Sequence, residues 1–466
     1  MRTLRSTFVA SGLLALALAA PARAAAGETL SRRQAVALAL QYNPSAGQAQ
    51  ENLRIFEGRK QEALADALPE LTLYGSWNRY RDPALLNSSS FDSFPPELRD
   101  SLKPVPANLY EGVAQLRQTL FSFKVGAAIR GAREAERMSR EELRAAQLGL
   151  ALEAVFAYND YLLARERVGV AQKSVNQKLR HLEMAGNRRA AGVATELEVL
   201  RAQVDVENER ATLEALIGAG DLRRGSLNAV MLRPIDAAVE PADSLALVPF
   251  EVSLEEALQE ALASRPEMLA VAYREKAFDQ LVRATNAEKL PSLDFFGSYG
   301  WSVREPSNFF GDDFAKWSAG VTLTVPVFDG FRTKGKLVQA RAERAKVGHQ
   351  KTAIENQIRI EAKDAVDRLR VASRVLAAAE LNVRQAQQAL DMTEANYRHG
   401  AATNLDVLDA QAALTQAESI RIQGLYQHAN ARAQLRYVMA RDPLDPEPAA
   451  PEPPPGASEP ATGEKR

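Results

Sequence analysis

Cysteine is absent from the 466 residues. Its absence excludes disulfides, thiolate metal sites and cysteine nucleophiles, and it removes the N-terminal cysteine that a lipoprotein acylates. An excess of one charge is missing too, since 58 Lys and Arg face 59 Asp and Glu for a formal net charge of −1. The chain therefore has no basic footprint for nucleic acid and no polybasic patch for a membrane surface. Beyond residue 20 no window offers the roughly 18 uncharged apolar residues that a transmembrane helix needs. The four histidines, His181, His349, His399 and His428, lack metal-ligand spacing and a paired nucleophile, and no phosphate-binding glycine loop follows a strand. These gaps argue against an enzyme and against a resident metal or cofactor.

What is present begins at the N-terminus. Arg2 and Arg5 precede the apolar run Phe8 to Ala20, and small residues follow from Pro21 to Ala26. This pattern predicts a secretory signal peptide over residues 1–24 and an unmodified mature chain starting near Ala25. With 46% hydrophobic residues the chain is rich enough to bury a core. From Asp442 onward the chain is dominated by Pro, Glu and Ala, a composition that predicts a disordered tail over 442–466.

The sequence repeats itself. At an offset of 222, Ala35-Val36, Pro44, Leu68-Pro69 with Leu71, and Gly75-Ser76 fall on Ala257-Leu258, Pro266, Leu290-Pro291 with Leu293, and Gly297-Ser298. Further on the offset drops to 207 or 208. There Leu120-Phe121 falls on Val327-Phe328, and Gly192, Thr195, Leu197 and Val199-Leu200 fall on Gly400, Thr403, Leu405 and Val407-Leu408. A first repeat over 25–222, a linker over 223–252 and a second repeat over 253–441 account for the chain. The first repeat carries a longer loop, about Asp82 to Tyr110, rich in Ser, Pro and Asn.

Each repeat holds two segments of alternating polarity, predicted as strands over 69–81 and 111–121 and over 290–303 and 317–328. Leu293, Phe295, Tyr299, Trp301 and Val303 alternate with Ser292, Asp294, Ser298 and Ser302, Phe296 being the exception; Trp317, Val321, Leu323 and Val325 alternate with Ser318, Thr322 and Thr324. The three tryptophans, Trp77, Trp301 and Trp317, all lie in these segments, as in the interfacial aromatic girdles of membrane barrels. A half-buried soluble sheet reads the same way. If the strands do meet lipid, four of them cannot close a barrel, and an open edge would leave backbone groups unpaired, so several chains must contribute.

Proline is missing from Lys124 to Arg188 and from Arg332 to His399, each long enough for a helix of about 100 Å. In the second stretch Ala365, Leu369, Ala372, Leu376, Ala379, Val383, Ala386 and Leu390 step by four and three. The first repeats the pattern as Ala157, Tyr161, Ala164, Val168, Ala171 and Val175, broken by Lys178. Alternating small and large seam residues predict closely packed, supercoiled helices. Each then turns at Gly192 or Gly400 and returns, over about 196–219 and 404–440, as a helical hairpin.

Two helical hairpins and two β-hairpins on a duplicated chain resemble the TolC-like outer-membrane efflux proteins. The matching pieces are Asn43-Pro44 and Arg265-Pro266, the Leu-Pro-x-Leu segments at Leu68 and Leu290, the Val-Pro-Val-Phe-Asp-Gly segment from Val325 to Gly330, and above all Tyr397 to Ala410. The resemblance covers about residues 28–440. It implies a mainly α fold with membrane β: a homotrimer whose twelve strands form one β-barrel in the outer membrane of a Gram-negative bacterium, continued by an α-helical coiled-coil barrel across the periplasm. It also implies the role of exit duct in a tripartite efflux or type I secretion system, with a periplasmic adaptor and an inner-membrane transporter of the RND or ABC type as partners. At residue level it implies that Asp406 and Asp409 ring the periplasmic constriction. The same resemblance implies closed-state contacts for Glu198 and Tyr397, Glu198 in place of the more usual aspartate, and adaptor-facing turns at Arg188, Gly192, Val193 and Gly400. The arginine that accompanies the closing contacts elsewhere in the family falls on Ala402. A periplasmic coiled-coil scaffold or adaptor shares the signal peptide and the hairpins, but has no use for four strands holding every tryptophan.

Overall fold

A computed structural model describes residues 28–81, 83, 94–101 and 105–444. The expected signal peptide, most of the loop from Asp82 and the tail beyond Leu444 lie outside the described residues. Helix α1 (Arg32–Tyr42) opens with a capping box between Ser31 and Gln34. At Asn43 the chain turns into α2 (Pro44–Ala65), where proline at the first helical position sacrifices no hydrogen bond and Asn43 Oδ1 accepts the Ser45 N–H at 2.9 Å. The second repeat builds the same corner from α6 (Leu254–Ser264) and α7 (Pro266–Ala287), with Arg265 in place of the asparagine. Arg265 is buried. Burial works against its charge, but Glu267 and Glu361 both bond the guanidinium and hold its pKa above the usual arginine range.

The two proline-free stretches form α4 (Phe123–Ala190) and α8 (Arg332–Arg398), 68 and 67 residues long and so each about 100 Å. In α8 the seam Ala365, Leu369, Ala372, Leu376 and Ala379 is buried as its spacing predicts, and Leu390 with it. In α4 the expected stripe is displaced: Val155, Tyr158 and Leu162 are buried, while Ala157, Tyr161, Ala164 and Val168 are half-buried until the two stripes merge at Ala171 and Val175. The cause is a small parallel sheet of β1 (Glu28–Leu30) and β4 (Val239–Pro241) lying across α4 at mid-height. Tyr158 turns inward to donate its hydroxyl to Leu30 O at 2.8 Å, and Tyr161 donates to Val239 O at 2.9 Å. Burial pushes the Tyr158 hydroxyl up to about 12. Lys178, the break in the seam, is satisfied by Glu209 at 2.5 Å.

The returning helices are α5 (Glu196–Val230) and α9 (Asn404–Val438). Helix α5 therefore runs well past Ala219. It passes through Gly218 and Gly220, because Leu213 and Leu227 are buried on either side of them and anchor the helix across the pair. At the far end Leu444 packs with Val36, Ala39 and Ala433, so the expected tail is ordered at its first residues.

Strands β2 (Glu70–Tyr80), β3 (Ala107–Ser122), β5 (Ser292–Val303) and β6 (Ala315–Thr324) form one antiparallel sheet in that order, with α3 (Pro96–Ser101) between the first two. Strand β3 begins earlier than expected and β6 stops at Thr324, because Pro326 has no N–H to continue a ladder. Register puts Leu73, Ala114, Tyr299 and Trp317 side by side on one face, as it does Trp77, Tyr110 and Val303. The edge strands leave this apolar face bare, Leu73 being 80% and Trp317 75% exposed, while its residues on β3 and β5 are mostly half-buried. On the opposite face Lys316 reaches Glu111 at 2.7 Å and Ser298 bonds Ser318 at 2.8 Å. Phe296, the aromatic exception, lies on this polar face with its ring where a side chain of Gly320 would stand. Strands β2 and β6 are the edges.

Candidate functional site

Both helical hairpins turn by the same chemistry. Helix α4 ends in a Schellman motif in which Gly192 takes φ of 75° while its N–H and that of Val193 reach back to Arg189 O and Arg188 O. Helix α8 ends likewise, Gly400 at φ 77° with Gly400 and Ala401 bonding Tyr397 O and Asn396 O. Three residues later each returning helix starts on a capping box, Thr195 with Glu198 in α5 and Thr403 with Asp406 in α9. The second is tighter. Asp406 Oδ2 accepts both the Thr403 N–H and its hydroxyl at 2.7 Å, whereas Glu198 accepts the equivalent bonds from Thr195 at 3.5 and 3.4 Å.

Those bonds from Thr403 hold the Asp406 carboxyl below its ordinary range. Asp409 follows three residues later on the same helix face, and both carboxylates are exposed beside the buried Val407. Two charges thus leave one face of α9 within its first two turns. Val193, Leu197 and Leu405 are exposed apolar residues at the same end.

The two hairpins are clasped together at Tyr397, which is 1% exposed. Arg188, expected at the turn surface, instead faces inward: its Nη1 donates to Tyr397 O at 2.7 Å and its guanidinium stands 4.4 Å from the centre of the Tyr397 ring. An arginine thus meets Tyr397 from α4, although position 402 holds alanine. Tyr397 also donates to Glu198 Oε2, at the long distance of 3.5 Å. Burial raises the Tyr397 pKa, with Arg188 opposing the rise and Glu198 adding to it. His181 completes the clasp. Its Nε2–H donates to Asn404 Oδ1 at 2.5 Å, its ring lies 5.6 Å from that of Tyr397, and its Nδ1 is buried without a partner. No repeated motif marks this histidine's place, because Ala389 stands at the corresponding position of the second repeat.

Of the tryptophans, Trp77 and Trp317 stand exposed on the apolar face of the sheet. Trp301, on the same face, is half-buried among Tyr299, Phe309 and Phe310. Among the described residues no helix is long and apolar enough to cross a membrane, and no group of three His, Asp or Glu could hold a metal. Contact with a bilayer would rest on the sheet.

The family model of outer membrane efflux proteins matches this chain twice, over residues 35–229 and 257–441. The chain belongs to the outer membrane efflux protein family. Its place is the outer membrane of a Gram-negative bacterium. Among curated relatives of this family member, outer membrane protein OprJ of Pseudomonas aeruginosa is 28% identical over 320 residues, 67% of this chain and 63% of that protein. The alkaline protease secretion protein AprF of the same species is 23% identical over 286 residues, covering 61% and 58% of the two chains. The chain thus matches less than two thirds of the length of either. Solved structures extend the likeness to nearly the whole fold. A membrane protein from Pseudomonas aeruginosa superposes with a TM-score of 0.76 at 25% identity, covering 88% of this chain and 92% of that one. The outer membrane protein VceC of Vibrio cholerae gives 0.74 at 20% identity, covering 89% and 97%.

Proposed function

We propose that three copies of this chain form one passive exit duct, the outer-membrane channel of a tripartite efflux or type I secretion system. One observation carries the reading: a four-stranded sheet with one bare apolar face and two open edges, β2 and β6. In lipid an unpaired edge leaves backbone groups without partners, so β6 of one copy pairs with β2 of the next. Three copies of four strands make a closed barrel of twelve, apolar outside and polar within. The long helices α4 and α8 with α5 and α9 continue it as a periplasmic helical barrel. The chain does no chemistry.

At the hairpin end, Asp406 and Asp409 of the three copies form two carboxylate rings around the constriction. The clasp of Tyr397, Glu198, Arg188 and His181 holds the closed state, while Gly192, Val193 and Gly400 present the turns to a periplasmic adaptor that links the duct to an inner-membrane transporter. Trp77, Trp301 and Trp317 lie at the membrane interface. Membrane fractionation separates this reading from that of a periplasmic scaffold: the duct stays with the outer membrane after osmotic shock, and recovery in the soluble periplasmic extract would refute it.

A further inference from the structure

The loop between β5 and β6, residues 304–314, does not stand clear of the sheet. Phe309 folds back until its ring occupies the space of a side chain at Gly112, with ring atoms 2.7 and 3.1 Å from where a Cβ would lie. Gly112 pairs with Trp301 and shares its face, the apolar one. Phe310 follows at φ 72°, a left-handed conformation that costs a bulky residue energy, and it is spent on placing a ring that is 72% exposed. That ring lies 5.0 Å from both Trp301 and Phe309, each edge to face. At the same end of the sheet Val303 is only 2% exposed, although Leu73 and Trp317 on its face are bare. Exposed Arg304, Glu305, Asp312 and Asp313 flank the rings. Rings continuous with an apolar face and bordered by charge have the layout of an interfacial anchor.

We propose that this loop is a membrane-seated clamp, in which Phe309 and Phe310 sit in the interfacial layer of the outer leaflet and hold the β5–β6 end outward, off the lumen. The occupant of this surface is lipid, because the rings continue the face that the barrel turns to the bilayer. The inference rests on the proposed barrel. It predicts that the extracellular mouth is not closed by this loop, leaving control to the hairpin end.

The absence of cysteine makes the test direct, since single spin labels can be placed without altering the background. Labels at Phe310→Cys and at Leu73→Cys are compared in phosphatidylcholine and phosphatidylglycerol vesicles for collisions with oxygen, which partitions into lipid, and with a water-soluble nickel chelate. The clamp predicts that both labels shift toward oxygen. A third label, Ser307→Cys with both rings intact, is expected to turn nickel-accessible when Phe309→Ser and Phe310→Ser are added. A lipid-exposed label at 73 with a nickel-accessible label at 310 overturns the clamp and leaves the barrel standing. Low collision with both reagents at 310 also overturns it, in favour of a contact with the neighbouring copy. A nickel-accessible label at 73 sinks the barrel reading itself.

Discussion

Asp406 is bound to Thr403 and still exposed, so a single carboxylate can both cap α9 and face a pore. Because its pKa is depressed, its charge and the stabilising cap bonds are present above the ordinary carboxylate range and are lost only as pH falls below it. The share of cation selectivity and of block by multivalent cations that Asp406 carries should therefore persist down to about pH 4, the ordinary aspartate range, and fall only below it. Replacing Asp406→Asn together with Asp409→Asn keeps size and removes charge, so single-channel recordings should show both properties falling. Undiminished block would mean that these residues do not line the constriction. The clasp gives a second contrast. Tyr397→Phe removes one long bond of 3.5 Å, whereas Arg188→Ala removes a bond of 2.7 Å and a cation over a ring, so resting conductance should rise more in the arginine variant. No rise in the arginine variant would deny Arg188 its part in closure. At this scale the sequence was only partly legible. Asp406, Glu198 and Tyr397 could be picked out by resemblance to the family's motif, but the inward turn of Arg188 and the bond from His181 to Asn404 join residues more than 200 positions apart, and no local pattern announces them.

Elements were the more legible scale, because their signals are local. Proline-free stretches with heptad spacing gave the long helices, and alternation gave the strands to within a few residues. Two features escaped. Strands of three residues such as β1 and β4 have no periodicity to read, yet they redirect Tyr158 and shift the α4 seam. The end expected for α5 near Ala219 failed because the low helix propensity of Gly218 and Gly220 loses to buried leucines on both sides. Both returning helices end on a residue other than glycine in the left-handed region, Leu232 at φ 55° and Ala440 at φ 57°. Glycine takes that conformation without a Cβ clash, so Ala440→Gly should stabilise the protein by about 1 kcal/mol. Thermal or denaturant unfolding measures it, and a lower midpoint would show that the end of α9 is not under this strain.

At the scale of the whole molecule, the single chain is unfinished. Its sheet has two free edges and a bare apolar face, and Val325, Val327, Phe328 and Phe331 stand exposed where β6 gives way to α8. Such surfaces are costly in water and are accounted for when lipid and neighbouring copies cover them. The duplication also fits the proposed ring, since each copy has two similar hairpin pairs and three copies would supply a quasi-sixfold wall. The most direct measurement of this closure is cross-linking between edge strands in intact cells. Ser76→Cys on β2 and Ser318→Cys on β6, combined in the cysteine-free chain and joined by a short bismaleimide, should give a ladder of one, two and three chains that stops at three. A ladder that never leaves the monomer, or one that continues past three, would contradict the trimeric barrel.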